Sequence, residues 1–160
     1  MKLNEIIKNN KILIIIILIF IYHYLIQNDL EKRFSQVYFE YTNIKRPTKK
    51  CEKNTKNLNC VGMPSGHAES VTILSSLLYL YKFIPLWLCL LVIFVFSIQR
   101  IIKNKHSIDQ VLMGIIIGLF YVFIYKKLNL SIYAFIIVLL IGFTLLLLTY
   151  YKLNNQISMK

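Results

Sequence analysis

The chain has 160 residues, a length that fits one domain; 57% of them are hydrophobic, yet the formal charge is +12, with 19 Lys and Arg against 7 Asp and Glu. A mean hydropathy of +0.59 alongside that charge requires apolar and charged residues to be segregated, and long apolar runs do alternate with short Lys-rich segments, as in helices that cross a bilayer between wet loops. The pattern contains no soluble basic module of the kind that binds nucleic acid, and its scarcity of acids disfavours a site built on Mg²⁺ or paired metals, which takes clustered carboxylates.

Residues 12 to 27 form an apolar run behind Lys2, Lys8 and Lys11. No small-residue cleavage site follows it, so it reads as a retained first transmembrane helix, with His23 packed or interfacial. Residues 29 to 45 mix charges with Phe34, Val37, Tyr38 and Tyr41, which stripes one face of a helix. That segment is too polar for an ordinary lipid-facing span and is expected at the interface or inside a bundle.

A polar loop over 46 to 63 carries Cys51 and Cys60, which can pair if it faces an oxidising compartment; zinc is a weaker reading, because the spacing to His67 matches no common site. Four helices are expected next, over about 64 to 82, 84 to 102, 107 to 126 and 130 to 151. Pro85 marks the first turn and Asn129 the last break, and each apolar part is near bilayer length, roughly 20 residues. Cys89 is a plain buried residue, and Trp87 and the tyrosines near span ends are interface anchors. The expected fold is all-α, a multi-span transmembrane helix bundle in a single domain over 1–160, with a motif-bearing core at about 46–126. Alternating spans put the loop before residue 64 and the loop around 100 to 106 on one membrane face, and the chemistry falls on those two loops.

Three clusters carry it. Pro64-Ser65-Gly66-His67 opens a helix, with proline suited to the first helical position. The free N–H groups of a helix start favour an anion, Ser65 can donate a hydrogen bond, Gly66 allows close approach, and His67 can protonate a leaving oxygen. Glu69 suits the first turn of that helix as a structural acid. Arg100 ends one helix and His106 opens the next, with Asp109 and Gln110 placed to reach the His106 face and hold its imidazole in one tautomer. Lys45-Arg46-Pro47 adds a guanidinium that can grip a phosphate. Alone, these are a helix cap, a basic juxtamembrane turn and a basic residue before proline; together on one membrane face they point to phosphoryl chemistry.

The combination resembles the type 2 phosphatidic acid phosphatase superfamily, whose motifs are Lys, six residues, Arg-Pro; Pro-Ser-Gly-His; and Ser-Arg, five residues, His, three residues, Asp. The match runs from about Arg46 to Gly118. The resemblance implies that His106 attacks phosphorus and that His67 protonates the leaving oxygen and then activates water. It implies that Arg46, Arg100, Ser65 and the Gly66 amide hold the phosphoryl oxygens, and that no metal or other cofactor takes part. This chain departs from the pattern at three places. The first-motif Lys falls on Phe39, with Lys45 or Lys49 as possible substitutes; the third-motif Ser falls on Gln99; and its Asp falls on Gln110, with Asp109 one place early. His106 followed by Gln110-Val111 and Gly114, with Gly62-Met63 before Pro64, is similar to dolichyl-diphosphatase members and implies a polyprenyl diphosphate substrate. Phosphatidic acid or another lipid monophosphate is the alternative substrate. A non-catalytic membrane protein with a decayed site is the alternative of another class.

A multi-pass protein of the endoplasmic reticulum or another cellular membrane is expected, with the bilayer and a lipid phosphate or diphosphate as its partners. The motif-bearing side is the richer in Lys and Arg, which by the positive-inside rule argues for cytosolic chemistry, although catalysis itself demands some of those charges. The dolichyl-diphosphatase resemblance implies a luminal site.

Overall fold

The computed structural model describes residues 3–38, 45–48, 51 and 60–158, and their secondary structure is helical apart from a single bridge between Lys45 and Val61. The fold is the expected all-α membrane bundle. Helix α1 (Leu3–Tyr22) runs through a π-helical turn (His23–Gln27) into α2 (Asn28–Tyr38). After the polar loop come α3 (Gly66–Leu80), α4 (Leu86–Ile102), α5 (Ile108–Lys127) and α6 (Ile132–Ser158).

The first helix is longer than its apolar run. No Gly or Pro interrupts residues 3 to 38, so the helix continues through the polar segment 29–38 as part of the same rod; residues 39–44, with Phe39 and Tyr41, lie outside the described residues. Burial inside the bundle makes this possible. A π turn rotates the face that follows it, and His23, Gln27, Asn28, Glu31 and Ser35 all turn inward and are buried. The Asn28 amide N–H and its side-chain Nδ2 both donate to the His23 carbonyl, the latter at 2.6 Å, so the irregular turn keeps its polar groups paired. Tyr38 closes the rod against α6 by donating to the Leu148 carbonyl at 2.8 Å.

Among the described residues, three helical segments are long and apolar enough to cross a membrane: Asn9–Tyr38, Ile108–Lys127 and Tyr133–Lys152. The expectation that every later helix nears bilayer length is corrected for α3 and α4, which have 15 and 17 residues. At 1.5 Å per residue α3 covers only about 22 Å. It can be short because its Ala68, Ile73 and Leu77 are enclosed by protein, not lipid. The lipid-facing surface lies elsewhere, on side chains such as Leu25, Phe94, Ile116 and Phe123, all more than half exposed.

Helices α3 and α5 touch backbone to backbone. A Cβ on Gly114 would stand 2.5 Å from the Ser65 carbonyl oxygen, so only glycine permits this approach. The turns read from the sequence recur. Pro85 is the residue before α4 in extended conformation, and Asn129 and Leu130 take left-handed backbone between α5 and α6. The start of α2, the start of α3, the end of α4 and the start of α5 meet at one end of the bundle.

Candidate active site

Local hydrogen bonds explain why Arg100 and His106 meet. The Arg100 carbonyl accepts from both the Lys105 and His106 amides, at 3.0 and 3.3 Å. Asn104 takes a left-handed conformation that tightens the turn. His106 therefore folds back over the end of α4, where it is 2% exposed.

The tautomer of His106 follows from its partners. Nδ1 lies 3.0 Å from the Gly62 carbonyl oxygen and 3.2 Å from Gln110 Oε1. A carbonyl can only accept, so Nδ1 carries the hydrogen and Nε2 keeps its lone pair. Gln110 is itself fixed, since its Nε2 donates to the Lys45 carbonyl at 2.6 Å and its Oε1 accepts from the Ser107 amide. Gly62 is required here because a Cβ would sit 2.3 Å from Gln110 Oε1. Asp109, one residue earlier, is exposed on the first turn of α5. Burial, then the charges of Arg46 and Arg100, push the His106 imidazole down to about 4, while its bonds to Gly62 and Gln110 pull the other way. The ring is neutral at physiological pH, as a nucleophile must be.

The Pro-Ser-Gly-His segment adopts a different register from the one expected. Pro64 does not occupy the first helical position: it follows a cis peptide, Ser65 is the N-cap and the helix begins at Gly66. The Ser65 amide is tied to the Gln110 carbonyl at 3.0 Å, which locks the two motif-bearing helices together. The first intrahelical bond runs from the Glu69 amide to the Ser65 carbonyl, so the amides of Gly66, His67 and Ala68 precede the ladder at the positive end of the helix. Gly66 has a reason for lacking a side chain besides substrate approach: a Cβ would overlap Asn28 Oδ1 at 2.2 Å. His67 is part-exposed at the mouth of the site, its ring edge-to-face with Tyr24 at 5.4 Å. Burial, then the positive charges of Arg100, Lys32, Arg46 and Lys105, push its imidazole down to about 4.

Of the buried side-chain polar atoms without a hydrogen-bond partner among the described residues, two belong to the motif residues Ser65 and Arg100. Arg100 is 9% exposed and its Nε makes no hydrogen bond; Ser65 Oγ is fully buried and equally unpartnered. Arg46 is held by backbone pairing, with its amide donating to Cys60 O at 2.9 Å and its Nε to Val61 O at 3.4 Å. Burial and the charge of Arg100 both lower its hold on its proton. Among the described residues the two ion pairs are Lys32–Asp29 and His23–Glu69, and neither involves these guanidiniums. The charge of Arg100 reaches Arg46, and both guanidiniums act on the His67 and His106 rings. Lys45 contributes through its backbone, by the bridge to Val61 and its carbonyl bond to Gln110; Lys49 lies outside the described residues. Cys51 and Cys60 are joined in a disulfide that closes the loop behind Arg46. Among the described residues no group of three His, Cys, Asp or Glu side chains is arranged to hold a metal ion.

The PAP2 superfamily model matches residues 12–134, most of the chain and not only its motif-bearing centre. The chain belongs to the PAP2 superfamily. No curated protein and no solved structure matches it. Membership supports phosphatase chemistry on phosphate esters in a membrane setting. In this PAP2 chain the matched region includes the first rod, which contributes a feature the motifs do not reveal. His23 bonds Glu69 Oε1 and the Tyr125 hydroxyl, each at 3.1 Å, and Gln27 donates to Glu31 and to the Tyr121 hydroxyl. Glu69 is thus buried in a polar network within the bundle and does not face solvent at a helix start. The four-residue spacing of His23, Gln27, Glu31 and Ser35 was the available signal for that polar stripe.

Proposed function

We propose that this PAP2 chain is a membrane-embedded hydrolase that cleaves a polyprenyl-type lipid diphosphate through a phosphohistidine on His106, without a metal. The observation that carries the reading is the bond from His106 Nδ1–H to the Gly62 carbonyl, which leaves Nε2 as the free nucleophile, with two guanidiniums that pair with no carboxylate among the described residues. Arg46, Arg100, Ser65 Oγ and the Gly66 amide hold the phosphoryl oxygens, where their charge is worth most in the crowded transition state. Nε2 forms the bond to phosphorus as the bond to the leaving oxygen breaks. A bound phosphate raises the proton affinity of His67, which protonates that oxygen and then takes a proton from the water that releases phosphate. Gln110 orients His106 in place of the family's aspartate. The Gln110-Val111 and Gly62-Met63 features support the diphosphate over a lipid monophosphate.

The disulfide supports placing the site on the oxidising side of its membrane, as in the lumen of the endoplasmic reticulum. The mechanism is tested with purified protein in detergent and excess chelator, assayed side by side on a polyprenyl diphosphate and on phosphatidic acid. Phosphate release is expected to persist with chelator, to be faster on the diphosphate and to disappear in His106→Ala. Wild-type-like release from His106→Ala would falsify the mechanism.

A further inference from the structure

The first motif of the family supplies a lysine that this chain lacks at the expected position, and the first rod brings a different one to the site. The rod runs towards the catalytic end and α3 runs away from it, so the two are antiparallel. Successive turns of the rod meet the start of α3. Tyr24 packs on the His67 ring, and Asn28 Nδ2 lies 3.1 Å from Ser70 Oγ and 3.4 Å from the Gly66 carbonyl. One turn beyond Asn28, about 5.4 Å further along the axis, comes Lys32. Asn28 faces Gly66, the first residue of α3, so Lys32 lies one turn past that start, within electrostatic reach of the His67 ring. Its side chain is only 17% exposed, and its ammonium lies 3.5 Å from Asp29, a carboxylate that is itself mostly in solvent. Such an exposed pair is weak and is readily exchanged for a better anion.

The charges in the site divide between the two histidines. Arg46 and Arg100 act on both rings. Lys32 acts on His67, the leaving-group side, as does Lys105, which is exposed. The leaving oxygen of a monophosphate takes the His67 proton and departs as an alcohol, which has no phosphate group for an ammonium to hold. The leaving group of a diphosphate has one.

We propose, resting on the phosphatase reading above, that Lys32 holds the leaving phosphate of a lipid diphosphate and so selects diphosphates over monophosphates. His106 Nε2 bonds to the terminal phosphorus while the bridging P–O bond breaks, its electron pair staying with the bridging oxygen. That oxygen departs as part of a lipid monophosphate, its charge met by Lys32 and by the His67 proton. Water then cleaves the N–P bond and yields inorganic phosphate. With a monophosphate substrate the same transfer proceeds, and Lys32 has no phosphate to grip.

The test compares wild type, Lys32→Met and Lys32→Arg on a polyprenyl diphosphate and on the monophosphate of the same chain length. Losing one charge-assisted contact predicts a fall of about ten- to a hundredfold in kcat/KM for the diphosphate in Lys32→Met. The monophosphate value should change by less than about threefold, and Lys32→Arg should retain most activity on both. Inhibition by inorganic diphosphate should weaken in Lys32→Met by a similar factor, while inhibition by orthophosphate stays put. Equal losses on both lipids, or an unchanged ratio with unchanged diphosphate inhibition, would overturn the assignment. Wild-type protein inactive on both lipids is a separate result that overturns the phosphatase reading itself.

Discussion

At the scale of single residues, the decisive group is the His106 ring. Its Nδ1–H is committed to Gly62 and Gln110, and its environment opposes protonation. The sign of the pH effect follows. The folded value of about 4 lies below the ordinary 6.5, so the unfolded chain binds the proton more tightly between those limits. The stability contribution of the neutral ring is complete above pH 6.5 and is lost as pH falls towards 4. We expect the His106 resonances in the substrate-free protein, identified by their absence from His106→Ala, to titrate near 4 in an NMR pH series. Adding phosphate or vanadate should move that midpoint upward, because a bound anion offsets the two guanidiniums. A midpoint at or above 6.5 in the empty site would contradict the burial and charge described for this ring.

At the scale of elements, the site depends on how closely α3 and α5 approach. Ser65 is pinned from two sides, by its amide bond to the Gln110 carbonyl and by the contact of its own carbonyl with Gly114. The atom a Gly114 Cβ would meet is backbone, so no side chain can swing aside. Gly114→Ala is expected to push the helices apart and destabilise the protein by about 1–3 kcal/mol, as overpacking does. Thermal unfolding in detergent would register this, with activity falling alongside because Ser65 and His67 ride on α3. Gly114→Ala with unchanged melting and unchanged activity would show that the contact is slack. The helices themselves were readable in the sequence, because apolar runs of span length bounded by Pro85 and Asn129 leave few alternatives. The reach of the first rod was not. Residues 29–38 look too polar to continue a membrane helix until other helices supply partners, Tyr121 and Glu69 for Glu31 and the Leu148 carbonyl for Tyr38.

At the scale of the whole molecule, topology and redox chemistry meet in the loop behind Arg46. The Cys51–Cys60 bridge closes that loop on the catalytic face, and Cys89 is buried in α4. In intact membranes no cysteine is expected to react with a thiol reagent until reductant is added, after which Cys51 and Cys60 label. Reduction should also lower the melting temperature, since closing a loop of this size contributes about 2–3 kcal/mol in the chain-entropy view. Free, reactive Cys51 and Cys60 without reductant would instead place the site on the reducing side, as the count of basic loop residues first suggests.

The order of the residues was enough by itself to determine a basic all-helical membrane bundle with its Pro-Ser-Gly-His and Arg100–His106 motifs gathered at one end. Hydropathy and spacing are local properties, and alternation of spans converts them into sidedness. Which nitrogen of His106 is free, and why Gly66 faces Asn28, were decided only by the tertiary structure. Each depends on a partner dozens of residues away: Gly62 for His106 and Asn28 for Gly66. A linear pattern carries no record of such distances until the helices are packed.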